Sequence, residues 1–205
     1  MKTYISLGSM CYGTTIMPYW QESLPFDSVN NSDNIESVYS VLQRLMDGSF
    51  DVKDFVGELN EKHINKEGFN FVHFDPPKDP KYTREEIFVR RFSRLTEVLS
   101  DDSEKTFLYY NRAPIVNEKE LEIVEKIHNL FPTIKFVYFD RWCSFPLVQS
   151  DWLKSYHINT DPNLRPVIHE RIPLLKTALK TDVYSEEEKE KLQIKLDKIL
   201  LELAN

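Results

Sequence analysis

Short apolar runs alternate along this chain with longer amphipathic segments, and this alternation is the feature that most restricts its fold. The runs that favour strands are residues 4–7, 106–110 and 134–139, with further candidates at 69–74 and 156–159. The intervening segments repeat their apolar residues every three to four positions, as helices do. An order of strand, helix, strand favours right-handed crossovers and parallel pairing. The sequence therefore predicts an α/β fold: a three-layer sandwich with a mainly parallel central sheet and helices on both faces.

The helix boundaries follow from capping pairs, in which an N-cap side chain and a glutamate three positions later bond each other's backbone. Three such pairs occur: Thr83 with Glu86, Asn117 with Glu120, and Ser185 with Glu188. A further helix over residues 33–47 ends before Gly48. A length of 205 residues suits a single α/β domain over residues 1–205. We expect residues 183–205 to form a C-terminal amphipathic helix that packs on this domain.

The composition excludes several classes of protein. A net charge of −7 argues against nonspecific nucleic-acid binding, which needs a basic surface, so we expect a small-molecule or peptide substrate and no nucleic-acid partner. No apolar stretch approaches the roughly 20 residues of a membrane span and no signal peptide is recognisable, which predicts a cytoplasmic protein with no membrane partner. Cys11 and Cys143 do not make a disulfide framework, and no histidine pair has metal-ligand spacing. Neither a metal nor another cofactor is predicted, and nothing in the sequence indicates an oligomeric state.

Polar residues follow several of the predicted strands. In a parallel sheet the carboxyl ends of the strands meet at one edge, where α/β proteins place their functional cleft. This rule selects four segments: residues 8–13, 73–75, 111–112 and 140–143. We therefore expect a functional site to be assembled from these segments.

The first segment carries a candidate nucleophile. Ser9 and Cys11 lie between two glycines, directly after the first strand. If a helix starts near Ser9, the amide groups around Gly8, Ser9 and Tyr12 would stabilise a Cys11 thiolate and bind an oxyanion. The alternative is that Cys11 is a small apolar residue that fills space at a helix start. The glycines form neither a GxGxxG motif nor a P-loop.

The second segment offers a base. His73 at the end of a strand is placed to accept a proton from Cys11, although it is equally a candidate for a structural histidine bonded to a loop. One of three residues would orient it: Asp27, Asp75 or Asn111. Asn111 is also a candidate donor to an oxyanion, and Arg112 a candidate anion-binding residue. In residues 140–143 we expect an internal ion pair and a packed indole.

Two of these elements carry a resemblance to a known family. Residues 6–11 read SLGSMC, and residues 25–27 read PFD. Paired SLGxxC and PFD elements resemble a family of uncharacterised bacterial and large-virus domains described as papain-like cysteine peptidases, and the resemblance spans about residues 4–112. It implies a thiol protease or related hydrolase, with Cys11 as the nucleophile and His73 as the base.

Three functions are compatible with these observations. The first is a cysteine-dependent hydrolase or acyl transferase that uses Cys11 and His73. The second is a serine esterase of the SGNH type, with Ser9 as the nucleophile, Asn111 after a later strand, and His157 in a late histidine segment. The third is a non-enzymatic α/β module in which Arg112 and aromatic neighbours bind a nucleotide or a sugar.

Overall fold

The computed structural model describes residues 2–8, 12–19, 23–27, 35–71, 81–111, 119–141, 145–158 and 167–204, with residues 12, 13, 167–169 and 204 described by their backbone only. The elements in chain order are β1 (Thr3–Ser6), α1 (Tyr12–Thr15), α2 (Ile35–Asp47), α3 (Val52–Val56), α4 (Arg84–Ser100), β2 (Lys105–Asn111), α5 (Lys119–Leu130), β3 (Lys135–Asp140), β4 (Leu153–His157), α6 (Val167–Lys180) and α7 (Glu186–Ala204). Strands and helices alternate over much of this order, as the apolar runs predict.

The four described strands form one sheet in the order β1-β2-β3-β4, and every neighbouring pair is parallel. The register of β2 and β3 runs from Thr106 opposite Lys135 to Asn111 opposite Asp140. Because all four strands point the same way, their carboxyl ends share one edge and their amino ends share the other. The predicted α/β class with a parallel sheet is confirmed.

Successive side chains along the strands belong alternately to two separate apolar cores. On β2, Phe107 and Tyr109 pack with residues of α2 to α5, whereas Leu108 and Tyr110 pack with residues of α6 and α7. Since side chains of a strand alternate between its two faces, the two cores lie on opposite sides of the sheet. All seven residues of β2 are buried, as expected for a strand covered on both faces.

A cluster of phenylalanines fills the core on the α2–α5 face. Its centre is Phe55 in the short helix α3, which is completely buried. Five other rings lie with their centroids 5.0–5.9 Å from it: Phe50, Phe69, Phe71, Phe88 and Phe92. Asp51 caps α3 by accepting a hydrogen bond from the Lys53 amide. This cluster explains why phenylalanines recur through residues 50–71 and in α4.

The predicted strand over residues 69–74 is wrong for its described part. Residues 69–71 do not join the sheet, and Asn70 makes only an isolated antiparallel bridge with Ile64. Asn65 organises the preceding turn, because its side chain accepts from the Phe69 amide at 2.8 Å and donates to the Phe55 carbonyl at 2.7 Å. Phe69 and Phe71 are apolar because they pack around Phe55. Residues 72–74 lie outside the described residues.

Two of the three predicted capping pairs fall on described residues and are confirmed. Thr83 and Glu86 form a reciprocal capping box at the start of α4. Ser185 and Glu188 bond each other's backbone in the same way at the start of α7. Asn117, the predicted cap of α5, lies outside the described residues. Local polar patterns therefore locate these helix starts correctly.

The C-terminal part of the chain differs from the prediction in three respects. The last strand is Leu153–His157 and not residues 156–159. Helix α6, with Pro173 inside it, was not predicted. In α7, Leu192 and Leu196 are buried, but Leu200 and Leu203 are 42% and 41% exposed. The predicted apolar stripe of α7 is therefore buried in its first half only.

Candidate active site

Three polar side chains lie in one row across the carboxyl edge of the sheet. The register places Asn111 of β2 opposite Asp140 of β3, and Asp140 opposite His157 of β4. Neighbouring strands are about 4.8 Å apart, so these side chains are immediate neighbours. All three share the strand face of Phe107 and Phe136, which is the α2–α5 face. We call Asn111, Asp140 and His157 the edge row.

The backbone of Phe145 connects two members of the edge row. Its N–H donates to Asp140 Oδ2 at 2.7 Å, and its carbonyl oxygen lies 2.8 Å from His157 Nε2. A carbonyl oxygen only accepts hydrogen bonds, so Nε2 of His157 carries the proton. In the neutral ring Nδ1 is then the proton acceptor. The edge row thus contains an imidazole held in one tautomer.

The neighbouring row on the same face, two residues earlier along β2 and β3, consists of aromatic side chains that carry hydroxyl groups. Tyr109 lies opposite Tyr138, with ring centroids 5.3 Å apart, and Phe145 stacks on Tyr138 at 3.9 Å. The Tyr138 hydroxyl donates to the buried carboxylate of Glu120 at the start of α5. Burial is the main cause that raises the pKa of Tyr138 well above its ordinary value, and the Glu120 carboxylate adds to it. Tyr138 therefore stays protonated and acts as a donor that fixes Glu120.

A buried ion pair lies at the same edge on the opposite face of the sheet. Arg141 donates to Glu170 of α6 at 2.7 Å, and their side chains are 11% and 7% exposed. The Tyr110 hydroxyl also donates to Glu170, at 3.5 Å. The Arg141 amide donates to the Asn111 carbonyl at 3.2 Å, which ties the ion pair to the edge row. Arg141 therefore pairs with a residue of α6. The sequence predicts an ion pair inside residues 140–143 instead.

Gly8 takes the chain out of β1 at this edge. Its φ of +103° is a conformation that L side chains rarely adopt, and its carbonyl accepts from the Tyr110 amide at 3.0 Å. Helix α1 (Tyr12–Thr15) follows this turn. The helix start near Ser9 falls on residues outside the described ones, so it stays a prediction. Ser9 and Cys11 lie outside the described residues, as does the side chain of Tyr12.

Asp27 is buried, and its described hydrogen bonds are with Leu24 in its own turn and not with the edge row. Its Oδ2 accepts from the Leu24 amide at 2.6 Å, and its Oδ1 has no hydrogen-bond partner within the described part of the chain. Burial raises the pKa of Asp27 to about 6, against the opposing effects of the Leu24 amide and the Arg91 charge. Arg91 and Arg94 also donate to the carbonyls of Leu24 and Ser23. Asp27 therefore stabilises the turn over residues 23–27 from within, and the two arginines hold that turn against α4.

The structure brings together only part of the predicted site. Gly8 and Asn111 lie at the carboxyl edge as predicted. His73 and Arg112 lie outside the described residues, so their roles stay predictions. Among the described residues, Glu170 is a site residue that sequence reasoning missed.

The described residues contain no group of three or more histidine, cysteine, aspartate or glutamate side chains placed to hold a metal ion. None of the described helices is long and apolar enough to cross a membrane. No family model matches the chain, and no curated protein or solved structure is significantly similar to it. The geometry of the carboxyl edge is therefore the main basis for a functional proposal.

Proposed function

We propose that this chain is a cysteine-dependent hydrolase or acyl transferase that acts at the carboxyl edge of the sheet. The observation that supports this most is the edge row, in which an amide, a carboxylate and an imidazole of fixed tautomer are neighbours on three adjacent strands. Gly8 leaves β1 at this same edge, and Cys11 follows it by three positions in the sequence. A thiol nucleophile and an imidazole are the two groups that such chemistry needs first.

The proposed reaction follows the usual order of covalent catalysis. The Cys11 thiolate forms a bond to the substrate carbonyl carbon, and the C=O electron pair moves onto oxygen. Asn111 is the candidate side-chain donor to that oxyanion. When the carbonyl re-forms, the bond to the leaving group breaks and that group takes the proton from the imidazole. Water or another acceptor then attacks the thioester carbon while the imidazole takes its proton. The C–S bond breaks, which releases the acyl product and restores the thiolate beside the protonated imidazole.

Two histidines compete for the role of base. His73 is the base that the sequence predicts. His157 is the described imidazole at the edge, and its Nδ1 is the proton acceptor of the ring because Nε2 donates to the Phe145 carbonyl. Separate substitutions of the two residues distinguish them, since only the true base affects the ionisation of the thiol.

The test is the rate of iodoacetamide alkylation of each cysteine between pH 5 and 9, read by mass spectrometry. We expect Cys11 to react roughly tenfold or more faster than Cys143 at pH 6, because only a thiol of lowered pKa is substantially ionised there. H157Q or H73Q, whichever removes the base, should abolish this advantage. H128Q is the matched control, since His128 stacks on Trp152 and belongs to α5, away from the edge row. Equal, slow labelling of both cysteines in the wild type would exclude the proposal.

A serine esterase is the second candidate, and one observation favours it. Asn111 and His157, the two residues assigned to that mechanism together with Ser9, both belong to the edge row. A fluorophosphonate probe distinguishes the two reactions. Labelling of Ser9 that is lost in S9A and in H157Q supports the esterase, whereas a chain that the probe leaves unlabelled is not one.

A further inference from the structure

A second polar cavity lies at the other end of the sheet, far along the strands from the edge row. It has a volume of about 240 Å³ and is lined by residues at the amino ends of all four strands. Lys2 immediately precedes β1, Thr106 lies near the start of β2, and Lys135 and Lys154 lie at the starts of β3 and β4. We call Lys2, Thr106, Lys135 and Lys154 the amino-edge cluster.

The register brings the amino-edge cluster onto one face of the sheet. Thr106 lies opposite Tyr4 and Lys135, and Lys154 lies opposite Val137. Tyr4 and Val137 belong to the core on the α6–α7 face, so the three strand residues of the cluster point to that face. Asp182 and Val183, between α6 and α7, close the cavity on this side. Three ammonium groups, one hydroxyl and the carboxylates of Asp151 and Asp182 therefore line one space.

Thr106 provides the sharpest evidence that this space takes a ligand. Its side chain is 1% exposed and lines the cavity, and its Oγ1 has no hydrogen-bond partner among the described residues. A buried hydroxyl without a partner is unfavourable, whereas valine has the same shape without that cost. An acceptor atom bound in the cavity would satisfy the hydroxyl.

The ion pairs that these lysines make within the chain are weak. Lys135 pairs with Glu104 at 2.9 Å, but both side chains are more than half exposed. Lys154 pairs with Asp182, whose side chain is also largely exposed, and Lys2 donates to the Val183 carbonyl at 2.7 Å. Exposed ion pairs of this kind contribute little to stability, so an incoming anion can replace the carboxylates at little cost. Burial is the main cause that lowers the pKa of Lys2; the charges of Glu104 and Glu188 oppose this shift, and those of Lys135 and Lys154 add to it.

We propose that the amino-edge cluster binds a small phosphate monoester. A phosphate group offers three strongly accepting oxygens in different directions, which matches three ammonium groups and one hydroxyl placed on four strands better than a planar carboxylate does. The cavity is smaller than the roughly 300–1,000 Å³ typical of sites for drug-sized ligands, so the ligand is small. Val137, which lies on the same face as the three strand residues of the cluster, also lines the cavity and provides an apolar contact for the carbon part of the ester.

Isothermal titration calorimetry of the full chain tests this proposal, with glycerol 2-phosphate and inorganic phosphate as probes and glycerol as the uncharged control. Sodium chloride holds the ionic strength constant across the titrations. We expect saturable binding of glycerol 2-phosphate, weaker binding of inorganic phosphate, and no binding of glycerol. A chain that binds neither phosphate probe overturns the proposal, and inorganic phosphate binding alone overturns its monoester part.

Two variants locate the site. T106V and K135Q should each weaken binding of glycerol 2-phosphate roughly tenfold, the usual effect of losing one charge-assisted hydrogen bond. K176Q is the matched control, because Lys176 is an exposed lysine of α6 outside the cavity, and it should bind like the wild type. Thermal unfolding shows whether each variant is folded, and T106V should be as stable as the wild type or more so. Wild-type affinity in both T106V and K135Q would overturn the assignment.

Discussion

Asp140 and His157 lie opposite each other on neighbouring parallel strands and bind the two polar groups of one peptide residue. The Phe145 N–H donates to Asp140 Oδ2, and the Phe145 carbonyl accepts from His157 Nε2. The backbone of Phe145 is thereby fixed at the carboxyl edge by the same residues that supply a carboxylate and an imidazole to the edge row. Structural and chemical roles are combined in these two side chains.

Asp140→Asn should destabilise the fold. Asp140 is completely buried, and its charge strengthens the hydrogen bond from the Phe145 amide. The asparagine keeps an acceptor but loses the charge and brings a buried NH₂ group to the site. We expect the free energy of unfolding in urea to fall by about 1–3 kcal/mol. Asp151→Asn, at an exposed position, should change it by less than about 0.5 kcal/mol; an equal effect of both substitutions would contradict the role given to Asp140.

Asp27→Asn should change how stability depends on pH. The pKa of Asp27 is raised from 3.8 to about 6 in the folded chain. Between these values the folded chain keeps a proton that the unfolded chain has lost, so the Asp27 contribution falls as pH rises, by about 3 kcal/mol in all, and is constant below and above this window. The asparagine keeps the hydrogen bond from Leu24 without an ionisable group.

The measurement is the difference in free energy of unfolding between D27N and the wild type from pH 3 to 8. We expect D27N to become more stable relative to the wild type as pH rises from about 4 to 6, because only the wild type has a carboxyl group that must lose its proton in a buried site. Asp102→Asn, at an exposed position, serves as the control and should give a flat difference. A flat difference for D27N would mean that Asp27 is ionised without cost in the folded chain.

The fold was predictable because its evidence is local. The apolar runs of β1, β2 and β3 are short, and Thr83 and Ser185 cap helices through residues three positions away. The strand predicted around Phe69 and Phe71 is wrong because these side chains are buried by tertiary contact with Phe55 and not by strand pairing. Sequence periodicity does not distinguish a short buried strand from an irregular segment that contributes to a core.

The candidate site was predictable only to the level of a sheet edge. The rule for parallel sheets selected Asn111 and Asp140, which the register places side by side. His157 joins them only because β4 pairs with β3 in one particular register, which no local pattern specifies. Glu170 belongs to α6, where Pro173 interrupts the usual helix signal. Contacts between residues far apart in the sequence therefore bring the edge row and Glu170 together, and local sequence patterns do not reveal such contacts.

Arg141→Met should be strongly destabilising. Arg141 and Glu170 are both nearly buried, so removing the cation deprives a buried carboxylate beside Tyr110 of a charged partner that lies 2.7 Å from it. Breaking such a pair costs about 3–5 kcal/mol, whereas replacing both partners with apolar residues recovers most of the loss. We therefore expect R141M to be much less stable than R141M/E170L in urea unfolding.

The control for this double-mutant cycle is an exposed ion pair. Lys189 pairs with Glu186 at 2.8 Å, and the Glu186 side chain is 88% exposed. Lys189→Met should cost less than about 1 kcal/mol, since exposed pairs contribute little. If R141M cost no more than K189M, the Arg141–Glu170 pair would not stabilise the carboxyl edge.

Phe55→Ala should be among the most destabilising substitutions on the α2–α5 face. Phe55 is completely buried among five other phenylalanines, and α3 is too short to be stable without that packing. Truncation leaves a cavity that the surrounding rings cannot fill, so we expect a loss of about 3–5 kcal/mol in urea unfolding. Phe55→Leu keeps most of the volume and should cost clearly less. Leu147→Ala, at a position 65% exposed, should be nearly neutral. A loss below about 1 kcal/mol for F55A would show that this cluster is not the centre of the core.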